Sequence, residues 1–432
     1  MIDALILLAL TGLMQAARSF DTGELPGGTE LAFGFLLLGA FFAARICARF
    51  GLPKLTGYLL VGVVAGPYVL GLVSKDMSAS LGIINGVATC ILGLTAGGEL
   101  DLKRVKPLLA TLRSITIYGV LAAMVVLAGV LFVLHPFLPM FDNTTMVETL
   151  AICAVVAVAL SAQSPAVVMA LLAETRADGP LSRLVLATVV VADLVVIIVY
   201  SIVAAIAGAL VGGKLELGET MMSIGWELFG SMVFGVVIGM VIARYIMSVK
   251  NGSALFALMV CVVVAEIGSR VHLDPLVVML AAGVWLKNFS RADANALLHG
   301  FESAELPVFL VFFSLAGAKL NIFDLASMVV PVIIIAVVRA TVFYFGCRIA
   351  CERTHAEPAV RRYGWTGLVP QAGLSLALVV VIQKNFPTFG TPAAVLLLSV
   401  VGINQLVAPV LLRLSLVRSG EAGQRDARAF AG

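Results

Sequence analysis

The sequence predicts an all-α polytopic membrane protein with about thirteen transmembrane helices, fourteen if an N-terminal helix is added. Three observations carry that reading. The 432 residues are 61% hydrophobic and only 12% charged, with mean hydropathy +1.09, a balance that a soluble domain of this length does not sustain. Apolar runs of about 20 residues, the length needed to cross the hydrocarbon core, recur to the end of the chain. The basic residues also alternate from one set of connections to the other, as the positive-inside rule requires.

Taken in order, the apolar spans cover 30–50, 54–73, 79–98, 107–134, 147–173, 181–210, 223–247, 253–269, 273–289, 301–318, 327–350, 362–384 and 391–416. Most connections are short, so neighbouring spans run antiparallel. Residues 1–29 open with MIDALILLALTGLMQAA, which reads as an extra helix or a cleaved signal segment. No Lys or Arg precedes its apolar stretch, which favours the helix. Residues 30–417 form one transmembrane domain. Residues 418–432 form a short polar tail, and the chain from Arg413 onward is expected to fray.

Twenty-one of the 28 Lys and Arg residues fall after odd-numbered spans, six fall on the other side, and Arg339 stands alone inside a span. This places the C-terminus in the cytoplasm and the chain in the cell (inner or plasma) membrane. Glu266 and Arg270 share a helix at the i, i+4 spacing of a local ion pair. The six cysteines lie in or near apolar runs without metal-ligand spacing and read as small buried residues. The four histidines are scattered. With no nucleophile–base pair and no metal cluster, an enzyme is excluded, and neither a cofactor nor a nucleic-acid partner is expected.

The fifth span, AICAVVAVALSAQSPAVVMALLAE, holds Ser161, Gln163, Ser164 and Pro165 at its centre. The sixth carries Asp193, 28 residues after Pro165 and without another charge until Lys214. An ionised side chain at the middle of a membrane helix costs roughly 2.5–3.5 kcal/mol on insertion scales, so such residues mark sites. The eleventh span holds Arg339, too deep for easy snorkelling. It reads as a counter-charge to the site or as a partner of helix carbonyls. The twelfth, YGWTGLVPQAGLSLALVVVI, is interrupted by Pro370 and Gln371, and the thirteenth carries Asn404 and Gln405, 34 and 35 residues after Pro370. Proline removes a backbone donor and breaks the helical ladder. Two interrupted helices at matching places in oppositely oriented halves form an inverted repeat that points to a transporter site near the midplane.

Several segments in this order resemble the monovalent cation–proton antiporter superfamily, and the transport domain of Kef-type exchangers in particular. They are GYLLVGVVAGPYVLGLV (57–73), LTAGGELDLKRVK (94–106), QSPAVVMALLAETRADGPLSRLVLATVVVADL (163–194), LDPLVVMLAAGVWLKN (273–288) and LPVFLVFFSLAGAKLNI (306–322). The resemblance implies two crossing broken helices in a core domain, a separate dimerisation domain, a homodimer in the lipid bilayer, and alternating access. It implies that Asp193 binds Na⁺ or K⁺ and H⁺ in competition. Ser161, Gln163 and Ser164 are candidate ion ligands, and no metal is expected beyond the transported cation. Arg339, Pro165, Pro370 and Gln371 are the counter-charge and structural set. The chain departs from the family pattern at Ala192, where relatives usually carry Asp, Asn or Gln, at Ser164, where an Asp often precedes the proline, and at Thr188, where Arg-bearing relatives carry Glu. One acid in place of two predicts electroneutral exchange. Two other readings follow from the same residues: a sensory or binding module of this fold without transport, and an organic-anion symporter.

Overall fold

A bilayer core offers no partners to backbone N–H and C=O groups, so an apolar chain satisfies them inside helices. A computed structural model of the protein describes residues 2–19, 29–211, 222, 225–249, 253–271, 273–292, 294–321, 323 and 328–424, and among them there is no strand. The principal helices are α1 (Ile2–Ser19), α2 (Thr29–Arg49), α3 (Lys54–Ala65), α4 (Gly82–Glu99), α5 (Leu109–Ile115), α6 (Ala122–Leu134), α7 (Met146–Leu160), α8 (Pro165–Thr175), α9 (Pro180–Val211), α10 (Ser231–Ser248), α11 (Ser253–Val271), α12 (Pro275–Phe289), α13 (Ala294–Ala318), α14 (Val329–Arg353), α15 (Pro358–Tyr363), α16 (Gly373–Asn385) and α17 (Gly390–Arg418). Each of the thirteen apolar spans overlaps one of these helices or a broken pair. Eight described stretches are long and apolar enough to cross a membrane, accompanied by six shorter apolar helices.

The chain divides into two units. The first comprises residues 1–101 and 227–322. Its helices meet at glycines because, without a hydrophobic drive between helices in lipid, close backbone approach has to supply the packing. A Cβ on Gly97 of α4 would stand 2.1 Å from the Leu280 carbonyl oxygen of α12, and one on Gly62 of α3 would stand 1.9 Å from that of Ser314 on α13. Asp274 caps α12 through the Leu276 and Val277 amides, as an N-cap carboxylate does. The N-terminal segment is helical. α1 packs on α2, Met14 is buried, and the buried Asp3 carboxylate pairs with Arg45 and Arg49 at the far end of α2. Glu266 and Arg270 form the expected i, i+4 pair.

The second unit comprises residues 102–226 and 323–432. A π-helical turn, Thr116–Leu121, joins α5 to α6, and Gly346 of α14 lies against it, leaving no room for a Cβ beside the Tyr118 carbonyl. Thr145 and Glu148 form a reciprocal capping box at the start of α7. α9 packs along α7 and α8, and α17 along α16 and α8. Over residues 413–424 the expected fraying does not occur, and residues 425–432 lie outside the described residues. α17 continues to Arg418, and residues 419–424 fold back so that the Gly423 amide donates to the Thr175 carbonyl at 2.9 Å. Backbone bonding to the α8–α9 connection gives the segment an order that its polar composition hid. All six cysteines are buried and free.

Gly97→Leu should force α4 and α12 apart, a misfit that costs about 1–3 kcal/mol. Thermal melting of the detergent-solubilised protein should show the loss. Gly129→Ala, where nothing stands within 4 Å, should melt like the wild type.

Candidate functional site

The site is built where two helices fail. α7 ends at Leu160 and α8 begins at Pro165. Proline disfavours the helical region for the residue before it, and Ser164 takes extended dihedrals (φ −135°, ψ 100°). Its Oγ accepts from the Val167 amide at 3.3 Å, so Ser164 caps α8, with Pro165 in the first-turn position where its missing N–H costs nothing. In the other half, a 3-10 turn, Gly364–Leu368, gives way to four irregular residues, 369–372, that include Pro370, and α16 starts at Gly373. Each break leaves carbonyls without their helical donors.

Arg339 answers both breaks. The side chain is fully buried. Its Nε donates to the Leu160 carbonyl at 2.7 Å and Nη2 to that of Ala162 at 2.8 Å, both at the first break. Nη1 donates to the Val369 carbonyl at 2.7 Å and Nη2 to that of Leu368 at 3.2 Å, both at the second. Four of the five guanidinium N–H groups are thereby assigned, and charge-assisted bonds of this length are the strong ones. The guanidinium carbon also lies 4.7 Å from the centroid of the Phe343 ring. Of the two roles open from sequence, contact with helix carbonyls is the one this geometry displays.

Gln371 adds a second tie. Its Nε2 donates to the Leu160 carbonyl at 3.0 Å, and its Oε1 accepts from Asn404 Nδ2 at 2.6 Å. A hydrogen-bonded line therefore runs from α17 through the second break to the end of α7. Asn404 had drawn notice in the sequence only through its distance from Pro370, since a neutral amide in an apolar helix carries no charge signal.

Ser161 and Gln163 lie in the first break itself, and Asp193, Ala192 and Thr188 on the helix after it. Ser161 Oγ donates to the Ala157 carbonyl at 2.8 Å. Gln163 is fully buried, and its Nε2 donates to the Ser161 carbonyl. Its Oε1 is buried and accepts no hydrogen bond among the described residues. Asp193 comes from α9, which packs on α7, and is half-buried. Its neighbour Ala192 is fully buried, and Thr188 Oγ1 donates to the Leu184 carbonyl at 2.7 Å. Chemically, the first break offers hard side-chain oxygens, the neighbouring helix α9 carries a carboxylate, and the positive charge of Arg339 is committed to the backbone. Such oxygens suit a small cation.

Residues 36–417 match the profile of a family described as sodium/hydrogen exchanger, transmembrane. The fold is similar to that of the sodium proton antiporter MjNhaP1 from Methanocaldococcus jannaschii. A structure of that protein at pH 8 gives a TM-score of 0.62, with 92% of this chain and 98% of that one covered. An electron-microscopy map of the same antiporter gives 0.68, with 92% and 96% covered. Identity is 15% in both, so the likeness concerns the fold.

Arg339→Leu should strip its donors from the Ala162, Leu368 and Val369 carbonyls and leave that of Leu160 with Gln371 alone. Each buried unsatisfied group costs about 1–3 kcal/mol, so a large fall in melting temperature is expected. Arg339→Lys, with three donors in place of a planar fork, should fall in between. A melting series of the three proteins in detergent would check the order.

Proposed function

The chain belongs to the sodium/hydrogen exchanger transmembrane family, a class of multi-pass cation/proton antiporters, and from that premise we propose that Asp193 is the one carboxylate at which Na⁺ and H⁺ compete. The observation that carries the proposal is the placement of that acid. It sits on α9, the helix that follows the first break and packs on α7 and α8, and Arg339 holds the Leu160 and Ala162 carbonyls of that break. The cation takes the carboxylate together with oxygens of the break, for which Ser161, Ser164 and Oε1 of Gln163, which accepts no hydrogen bond among the described residues, are the side-chain candidates. Pro165 and Pro370 make the breaks, and Gln371 ties one to the other.

Competition at one group enforces exchange. A bound proton neutralises Asp193 and removes the attraction for the cation, while a bound cation favours the ionised form and expels the proton. Alternating access then yields countertransport, because an unloaded buried carboxylate is costly to carry across. Ala192 and Thr188 stand where a second acid would be needed for an uneven stoichiometry. One cation therefore moves per proton, without net charge. K⁺ in place of Na⁺ uses the same chemistry with a larger cavity. The chain sits in the cell membrane as a homodimer with a cytoplasmic C-terminus, an orientation supported by the basic residues after odd-numbered spans.

In proteoliposomes, addition of Na⁺ should dissipate an imposed pH gradient with the wild type. Asp193→Asn should respond like empty vesicles, and normal exchange by that variant would remove the basis of the proposal. A potassium diffusion potential set with valinomycin should leave the Na⁺-driven rate unchanged. A rate that follows the potential would rule out electroneutral exchange.

A further inference from the structure

The α8–α9 connection holds an acid that comes from the other end of the sequence. Glu421, three residues beyond the end of α17, is 6% exposed. Its Oε1 accepts from the Leu181 amide at 2.7 Å. Its Oε2 accepts from the Ser182 amide at 2.8 Å and from Ser182 Oγ at 2.6 Å. The backbone joins in, with the Asp178 amide donating to the Glu421 carbonyl at 3.2 Å and the Gly423 amide donating to that of Thr175 at 2.9 Å.

The first turn of α9 needs such a partner. The residue before Pro180 is Gly179, which has no side chain with which to cap the helix. Gly179 is also required there, because a Cβ on it would lie 2.1 Å from the Glu421 carboxyl carbon. The nearby cation, Arg183, is engaged by Asp178 at 2.7 Å. Glu421 therefore serves as a remote N-cap for α9, and its charge complements the positive end of that helix.

We propose that Glu421 is a positioning residue for ion exchange: residues 419–424 act as a latch that holds α9, and with it Asp193, in register. Asp193 lies twelve residues along the same helix, about 18 Å from the cap at 1.5 Å per residue. A slide or rotation of α9 breaks three bonds to one carboxylate at once. The latch also joins the ends of corresponding elements, since α9 and α17 each follow one of the breaks. The positioning role rests on the exchange reading above, whereas the latch itself does not.

The test uses the full-length protein with Glu421→Gln, Gly179→Ala, Ser182→Ala and the Glu421→Gln/Ser182→Ala double variant. Glu421→Gln puts an amide donor against backbone donors. Gly179→Ala pushes the intact carboxylate out from the helix side, and so keeps the test alive if Glu421→Gln does not fold. Hydrogen–deuterium exchange should show faster exchange of the Leu181 and Ser182 amides in both variants. In proteoliposomes the KM for Na⁺ should rise roughly three- to tenfold, in line with a lost helix cap, while the maximal rate stays within about twofold. Ser182→Ala should add nothing on top of Glu421→Gln, because the two share one contact. Unchanged amide exchange would overturn the latch. Faster amide exchange with an unaltered KM would reduce it to a purely structural cap and overturn the positioning role. A wild type that exchanges no cation for protons would overturn the exchange reading and the positioning role together, while amide exchange would still decide the latch.

Discussion

The guanidinium of Arg339 is the interaction on which the second unit depends. Two helices broken inside a bilayer would expose carbonyls that hydrocarbon cannot satisfy. A single side chain with a rigid fork of donors reaches both breaks and meets two carbonyls at each. Once it does, the irregular backbone costs little. The donors of Arg339 point at the backbone of both breaks, so its charge is spent there.

The two halves of this unit share a plan but differ in chemistry. Each consists of a broken helix followed by a long one, and the long helix carries a polar residue in its apolar run. In the first half that residue is Asp193. In the second it is Asn404, whose amide is spent on Gln371 at its own break. An acid titrates and an amide does not, so under the proposed function only the first half could trade a proton for a cation. The second half ties its own break to the end of α7 through Gln371.

Legibility in the sequence followed what each residue's chemistry reveals without a partner. Pro165 and Pro370 announced the breaks because a missing N–H is a property of proline itself. Asp193 and Arg339 stood out because charge in an apolar run is visible in one dimension, and the Glu266–Arg270 pair because its spacing lies on one helix. What Arg339 touches was not legible, since its partners are backbone carbonyls, which every residue carries. The Asn404–Gln371 bond was hidden for the same kind of reason: two amides 33 positions apart leave no pattern. Glu421 was missed altogether. In a polar tail an acid is ordinary, and the amides that bind it lie about 240 positions away.

The Arg339 contact also orders events during synthesis. Leu160 and Ala162 leave the ribosome 179 and 177 positions ahead of the arginine that satisfies their carbonyls. At about 5–20 residues per second, that gap lasts roughly 10–35 s. For this interval the first break exists without its donor, in a chain that is already entering the membrane. Its carbonyls must be kept in contact with water or with the insertion machinery until α14 emerges, so the burial of α7 and α8 inside the protein is a late step of biogenesis. A substitution in α14 would then act twice, once on the finished protein and once on the fraction of chains that ever mature.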